Sequence, residues 1–204
     1  IPVILGGLSA TYYHEEILRQ YPFIDFVVRG DSTEKPLFQL IQAIKTGGDF
    51  KNIPNLTYRD GRNGIQVNPL TCVPENLDEI TIDYRHIMKK VVRYADPTGY
   101  QPFIDWYSYP VTAVFTCRGC NYHCNTCGGS SLTFRSMANR RKPAYRSPRL
   151  LAQDIFHIAD HLNAPIMVIG DIFQPGEEYA FTLLEELKKK RIKNHIAFEF
   201  FIPP

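Results

Sequence analysis

Residues 111–129 read VTAVFTCRGCNYHCNTCGG, an apolar run followed directly by a loop that carries four of the five cysteines. The apolar run 111–116 predicts a buried strand. Beyond the loop, helix and strand patterns alternate: a helix from the N-cap Ser147, with Pro148 as its first residue, to 162, a strand over 166–169, a helix over 177–191 and a strand over 195–201. This βαβαβ order predicts parallel strands with helices outside them, as in an open doubly wound sheet or a (βα) barrel.

Residues 1–46 also alternate strand and helix patterns. Strand patterns over 2–5 and 23–28 alternate with a helix pattern over 11–20 and with a second helix that we expect Gly47 to cap. A βαβα order predicts a parallel sheet. Because two parallel strands cannot bury both faces of a sheet by themselves, we expect further strands before Ile1 and interpret the chain as a piece of a longer protein.

Residues 47–110 are predicted to form a connector between these two α/β parts. Strand patterns over 56–59 and 65–67 flank the turn sequence DGRNG at 60–64, which predicts a hairpin, and 83–94 has apolar residues at helical spacing. The sequence therefore predicts three parts: 1–46, 47–110 and 111–204.

The composition excludes several classes of protein. With 204 residues, a net charge of +2 and 44% hydrophobic residues, the chain is long enough to bury a core and is not collagen-like, highly charged and disordered, or a disulfide miniprotein. No apolar run approaches the roughly 18 residues of a membrane helix, and so small a net charge gives no overall attraction to nucleic acid or membranes. We expect a soluble, cytoplasmic protein.

The cysteine loop contains the pattern C-x3-C-x2-C at Cys120, Cys124 and Cys127, with Cys117 just before it. Cysteines packed this tightly indicate metal or redox ligands rather than disulfides. Three thiolates on one short loop can bind three irons of a cubane cluster and leave the fourth iron without a protein ligand. An open iron is what a cluster needs to bind a substrate.

Two alternatives use four cysteines. A zinc site would include Cys117, but zinc ribbons set their two knuckles about 15 to 20 residues apart, whereas three residues lie between Cys120 and Cys124. A closed electron-transfer cluster of the ferredoxin type orders its gaps as C-x2-C-x2-C-x3-C. The spacing of the cysteines favours neither the zinc site nor the closed cluster, but it does not exclude them.

The zinc alternative implies an interaction module that contacts nucleic acid through the basic residues after the loop. A run of charges is more simply interpreted as a solvated face. The basic residues after the loop are Arg135, Arg140, Arg141, Lys142, Arg146 and Arg149.

Cys120, Cys124 and Cys127 match the CxxxCxxC signature of the radical S-adenosylmethionine enzymes, and the sequence TCRGC at 116–120 resembles the T-S-R-G-C lead-in of one large branch. That branch typically carries an N-terminal cobalamin-binding domain. Other stretches resemble its elements: ILGG at 4–7, DFVVRGD at 25–31 and LDEI at 77–80.

This resemblance implies a fold and an activity. The fold is α/β: the C-terminal part of a Rossmann-like parallel sheet, followed by the first half of a (βα) radical S-adenosylmethionine partial barrel. The implied activity uses a 4Fe-4S cluster with one open iron to cleave S-adenosylmethionine reductively and to start radical chemistry on a small molecule. An external electron donor such as flavodoxin or ferredoxin would supply the electron.

The resemblance also implies cobalamin as a cofactor of the longer parent protein. The cobalamin-ligating motif D-x-H-x-x-G is absent from these residues. Methyl transfer through cobalamin and a ring or carbon-skeleton rearrangement are both compatible with the sequence, and we assign no catalytic side chain.

Within the loop, the resemblance implies that Cys120, Cys124 and Cys127 bind the cluster and that Cys117 does not. The residue before the third cysteine, commonly aromatic in the family, is Thr126 here, and Tyr122 is a candidate to supply an aromatic ring beside the adenine. Four residues outside the cysteine set are candidates for further contacts to S-adenosylmethionine. Gly128 and Gly129 permit close backbone approach, although a simple turn is an equal interpretation of this pair. Asp171, at the end of the second strand of this part, ranks before Glu199, which lies inside the third strand. Gly6 and Gly7 correspond to a glycine pair of the cobalamin domain, and a tight strand-to-helix turn is our preferred interpretation of them.

Overall fold

The computed structural model describes residues 1–61, 64–81, 83–94 and 111–201. Residues 95–110, the end of the predicted connector, therefore lie outside the described part. Contacts divide the chain into a first unit, Ile1–Glu75 with Gly119–Pro143, and a second unit, Asn76–Arg118 with Ala144–Pro204. Cys120, Cys124 and Cys127 belong to the first unit, and Cys117 and the strands downstream of the loop belong to the second.

The described elements confirm a mixed α/β protein. In chain order they are β1 (Ile4–Leu5), α1 (Leu8–Tyr12), α2 (His14–Gln20), β2 (Phe26–Val28), α3 (Glu34–Thr46), β3 (Leu56–Asp60), β4 (Gly64–Val67), α4 (Tyr84–Tyr94), β5 (Thr112–Phe115), β6 (Cys117–Arg118), α5 (Ser131–Ala138), β7 (Ala144–Tyr145), α6 (Pro148–His161), β8 (Ile166–Ile169), α7 (Glu177–Lys188) and β9 (Ile196–Phe198).

The first unit contains a sheet with the strand order β1-β2-β3-β4. β1 and β2 pair in parallel, as predicted, whereas β2 pairs with β3, and β3 with β4, in antiparallel register. The predicted hairpin is thus confirmed, and it extends the same sheet. The three-part division at 46 and 110 stays a prediction about domains; within the first unit, β3 and β4 belong to the sheet of β1 and β2.

The core of the first unit lies on both faces of this sheet, because successive strand residues point to opposite sides. Phe26 and Val28 pack with Leu40 of α3 on one face, and Val27 packs with Leu18 of α2 on the other. Gly47 ends α3 in the left-handed conformation, with φ of 67°, as the sequence predicted. The single helix predicted over 11–20 is wrong: Tyr13 separates α1 from α2.

The second unit contains a parallel sheet with the order β5-β8-β9. The apolar faces of α6 and α7 pack on one side of it, around the buried residues Val114, Ile166 and Val168. Ser147 and Pro148 begin α6 as predicted. The parallel strands and their connecting helices are therefore confirmed.

The pairing of β6 with β7 and the helix α5 were not predicted. Both strands contain only two residues, which is too short for a periodic pattern. In the described residues, no helix is long and apolar enough to cross a membrane.

Candidate functional site

The cysteine loop runs from β6 to α5 and is held by its own backbone. The amide of Cys127 donates to the carbonyl of Cys124 at 3.3 Å, and the amide of Ser130 donates to the carbonyl of Cys127 at 3.2 Å. Cys120 is half-buried, whereas Cys124 and Cys127 are exposed. None of the five cysteines, all of which the structure describes, forms a disulfide. The thiols are therefore chemically available as ligands.

Two of the three thiols accept hydrogen bonds from backbone amides. Tyr122 N–H donates to Cys120 Sγ at 3.4 Å, and Gly129 N–H donates to Cys127 Sγ at 3.3 Å. Hydrogen bonds from N–H groups to the ligating sulfurs tune the potential of iron–sulfur clusters. The donor set and its hydrogen bonds thus fit a cluster held by this loop.

Among the described residues, no three His, Cys, Asp or Glu side chains lie close enough to share one metal ion. In a cubane cluster each thiolate binds a different iron, so the cluster does not require the compact ligand set of a single ion. The zinc alternative has no support from the described geometry.

The loop folds back onto the start of α5. The amide of Ser131 donates to the carbonyl of Tyr122 at 2.9 Å, and Ser131 Oγ lies 2.6 Å from His123 Nδ1. Tyr122 is half-buried, whereas Thr126 and Gly128 are exposed. Sequence reasoning missed Ser131, which forms hydrogen bonds with both Tyr122 and His123 of the loop.

In the second unit, Asp171 follows β8 and is 3% exposed. One carboxylate oxygen accepts from the amide of Phe173 at 2.8 Å, and the other accepts from the amide of Phe201 at 3.1 Å. Both oxygens are therefore engaged by the backbone. This arrangement ties the segment after β8 to the segment after β9.

Glu199 directly follows β9 and is only half-buried. Its Oε2 accepts from the amide of Gly170 at 2.9 Å, next to Asp171. The structure thus brings the two predicted acidic residues to the same end of the parallel sheet. Asp171 is buried, with both carboxylate oxygens hydrogen-bonded to the backbone, whereas Glu199 is partly open to solvent.

Gly170 is a position that only glycine can fill. Its φ is +98°, and a Cβ there would lie 2.3 Å from Thr116 Oγ1 and 3.2 Å from Cys117 Sγ. Thr116 is fully buried, and its hydroxyl donates to the carbonyl of Ile169 at 2.9 Å. β5 and β8 therefore end in close contact. A glycine directly after a buried strand was the one signal in the sequence for this contact.

Gly6 and Gly7 form the turn from β1 to α1, as predicted from the sequence. Gly7 is the N-cap of α1 with φ of 101°, a conformation that favours glycine. A role for this pair toward a cofactor stays a prediction.

Two of the six basic residues after the loop are buried, so the interpretation of the whole run as a solvated face is wrong for them. In the first unit, Arg140 is 3% exposed and pairs with Asp31; in the second, Arg146 is 4% exposed and pairs with Asp154. Burial raises the pKa of Asp154, and the hydrogen bond from Arg146 opposes that rise. These arginines serve the folded core, which leaves fewer charges for a nucleic-acid contact.

No family model matches the chain. It is 32% identical over 133 residues to an uncharacterized methyltransferase of Pyrococcus horikoshii, covering 65% of this chain and 26% of that protein. It is 27% identical over 153 residues to the anaerobic magnesium-protoporphyrin IX monomethyl ester cyclase of Synechocystis, covering 75% of this chain and 27% of the cyclase. The chain thus spans about a quarter of the length of these two relatives.

Two solved structures share the fold. One is the radical S-adenosylmethionine methyltransferase TsrM from Kitasatospora setae, with a TM-score of 0.61, 19% identity and coverage of 91% of this chain and 32% of TsrM. The other is the cobalamin-dependent S-adenosylmethionine radical enzyme OxsB, with a TM-score of 0.65, 16% identity and coverage of 95% of this chain and 25% of OxsB.

The resemblance stated from the sequence is therefore confirmed. The chain has the fold of a segment of the cobalamin-dependent radical S-adenosylmethionine enzymes. It is also similar in sequence to a methyltransferase and to a cyclase.

Proposed function

We propose that the protein is part of a radical S-adenosylmethionine enzyme and that Cys120, Cys124 and Cys127 bind its 4Fe-4S cluster. The observation that carries this proposal is the C-x3-C-x2-C loop with backbone amides directed at Cys120 Sγ and Cys127 Sγ. When bound, the cluster supplies the electron that cleaves S-adenosylmethionine and starts radical chemistry. An external one-electron donor such as flavodoxin or ferredoxin would reduce it.

The role of the loop is to hold three thiolates in a fixed arrangement and leave one iron open. The hydrogen bonds within the loop, and those from Ser131 to residues 122 and 123, support this role because they restrict the backbone between the cysteines. Tyr122, Thr126, Gly128 and Gly129 are the loop residues that we propose lie along the bound S-adenosylmethionine.

Glu199 is our preferred residue for the methionine ammonium group of S-adenosylmethionine. Its carboxylate is half-buried and aligned by the amide of Gly170. Asp171, in contrast, already accepts a backbone hydrogen bond on each oxygen. We therefore assign Asp171 to positioning the backbone after β8, which reverses the order in which the sequence ranked the two acids.

The sheet of the second unit supports a half-barrel. Side chains on the face that α6 and α7 cover are buried, whereas Phe115 and Met167 on the opposite face are 45% and 36% exposed. Parallel sheets normally have both faces covered. We propose that this exposed apolar face, which also carries Glu199, is the inner face of the barrel, where cofactor and substrate lie.

We propose cobalamin-dependent methyl transfer as the reaction of the parent enzyme, with a small molecule as the methyl acceptor. The names of the relatives support it, since both a methyltransferase and cobalamin-dependent enzymes are among them. Cytoplasmic location is part of this proposal, because a reducing compartment keeps cluster ligands as thiols.

The test is anaerobic reconstitution with iron and sulfide, followed by metal and sulfide analysis and electron paramagnetic resonance of the reduced protein. We expect about four irons and four sulfides per chain and a spectrum that S-adenosylmethionine changes. Cys124→Ala should abolish the S-adenosylmethionine-sensitive signal, whereas the matched variants Cys72→Ala and Cys117→Ala should retain it. Stoichiometric zinc without sulfide in anaerobically isolated protein would overturn the proposal.

A further inference from the structure

A cavity of about 430 Å³ lies within the first unit, apart from the cysteine loop. Its wall is formed by α1, α2, the end of β2 and α5. The described lining residues are Thr11, Tyr12, His14, Arg29, Leu70, Arg135, Ser136, Met137 and Asn139. These residues include two arginines and several hydrogen-bond donors, and no Asp or Glu is among them.

Arg29 is a buried cation on this wall, and it forms no ion pair with a carboxylate in the part of the chain that the structure describes. It is 7% exposed, and its guanidinium donates to a neutral acceptor, the carbonyl of Asn68. Its Nε finds no acceptor among the described residues. Burial lowers the pKa of Arg29, which is the direction expected for a cation withdrawn from water.

The charge of Glu15 partly offsets the effect of burial on the pKa of Arg29. The Glu15 carboxylate, however, is paired with Arg19. Buried charges in proteins are normally paired, and an unpaired one indicates an ion or ligand that completes the site. The charge of Arg29 therefore points to an anionic occupant of the cavity.

The other lining residues suit an anion as well. Arg135 on α5 adds a second guanidinium, and guanidinium groups are preferred partners of phosphate and carboxylate oxygens. The hydroxyl of Thr11 accepts from the amide of Gly30 at 3.0 Å, which leaves its hydrogen to be donated. Burial and the nearby Arg29 both lower the pKa of His14, which favours the neutral imidazole; this form adds no positive charge but still carries one N–H donor.

We propose that this cavity binds a small organic molecule through an oxyanion group, phosphate or carboxylate, which Arg29 and Arg135 recognise. The volume of about 430 Å³ supports an organic molecule rather than a bare ion. It also lies within the usual range of small-molecule sites. The site is separate from the proposed cluster chemistry and needs no metal.

The test is calorimetric titration of the full chain with inorganic phosphate and, in a parallel arm, with acetate. We expect saturable binding that Arg135→Gln weakens about tenfold, as removal of a charge-assisted hydrogen bond should. Arg141→Gln, an exposed neighbour outside this cavity, should leave the affinity unchanged. Stronger binding of phosphate assigns a phosphate group to the ligand, and stronger binding of acetate assigns a carboxylate.

A second readout reports on the cavity itself. Because Arg29 helps to lower the pKa of His14, an anion bound beside Arg29 should raise that pKa, measured from the imidazole proton shifts at saturating phosphate. Arg29→Met, once its circular dichroism matches that of the parent protein, should abolish both binding and this rise. Absence of binding, equal affinity in the Arg135 and Arg141 variants, or an unchanged His14 titration would overturn the proposal. Cys124→Ala should bind phosphate normally, so this proposal and the cluster proposal can fail independently.

Discussion

Arg140 donates to both carboxylate oxygens of Asp31, although 109 residues separate the two in the chain. The side chains of Arg140 and Asp31 are 2% and 6% exposed. Arg140 also donates to Ser32 Oγ at 3.1 Å and to the carbonyl of Pro74 at 2.9 Å. One guanidinium thus connects the chain after the cysteine loop to two earlier segments of the first unit.

We expect Arg140→Ala to lower the free energy of unfolding by about 3–5 kcal/mol, because it leaves the Asp31 carboxylate buried without its partner. The adjacent variant Arg141→Ala changes an exposed side chain and should alter stability by no more than about 0.5 kcal/mol. Urea denaturation followed by circular dichroism measures both. Similar losses in the two variants would contradict a structural role for the buried pair.

Gly170→Ala should be strongly destabilising, since the new Cβ would lie 2.3 Å from Thr116 Oγ1. Gly176→Ala is the matched control: its φ of +117° is also unfavourable for alanine, but nothing lies within 4 Å of the Cβ. The control should lose about 1–3 kcal/mol from backbone strain. Gly170→Ala should lose about 1–3 kcal/mol more from overpacking.

A double variant identifies the contact responsible. Adding Thr116→Ala to Gly170→Ala removes the hydroxyl that the new methyl group meets, so part of the lost thermal stability should return. If the melting temperature of the double variant stays at or below that of Gly170→Ala, the close approach between β5 and β8 does not determine this cost.

His14 should make stability depend on pH. Burial, and then Arg29, lower its pKa below the ordinary 6.5, so the unfolded chain binds this proton more readily than the folded one. The contribution of His14 to stability is therefore intact above pH 6.5 and is lost as the pH falls through the folded-state pKa. Denaturation at pH 7 and pH 5 should give a smaller difference for His14→Gln than for the parent protein.

The exposed His161 provides the control for that measurement. His161→Gln should keep the pH dependence of the parent protein. A His14 variant with an unchanged pH dependence would mean that the imidazole is as well solvated in the folded protein as in the unfolded chain.

Local patterns made much of the fold predictable. The N-cap at Ser147, the proline at position 148 and the apolar run of β8 each act within a few residues, so the sequence alone determines them. The cysteine spacing is local in the same sense. For this reason the loop and its candidate ligands could be identified before the structure.

The features that sequence reasoning missed depend on distant partners. Arg140 was interpreted as part of a solvated run because nothing near it in the sequence indicates Asp31. The contact of Gly170 with Thr116 joins residues from two strands, and the strands β6 and β7 are too short to have a period. The sequence predicted Asp171 and Glu199 as candidate site acids, and their roles stay a prediction. Only the hydrogen bonds in the structure distinguish the buried Asp171 from the half-buried Glu199.

Because Asp171 and Glu199 differ in burial and hydrogen bonding, substituting them should have different effects, an expectation that rests on the proposed function. Asp171→Asn replaces one acceptor oxygen by an NH2 group, so the backbone amide of Phe173 or of Phe201 loses its hydrogen bond to the buried side chain at position 171. Stability should fall by about 1–3 kcal/mol, while the reconstituted cluster should still respond to S-adenosylmethionine. Glu199→Gln should do the reverse, with a smaller loss of stability because the side chain is half-exposed, and with a weaker response of the cluster spectrum to S-adenosylmethionine. If Asp171→Asn alone suppresses that response at unchanged stability, the roles assigned to the two acids must be exchanged.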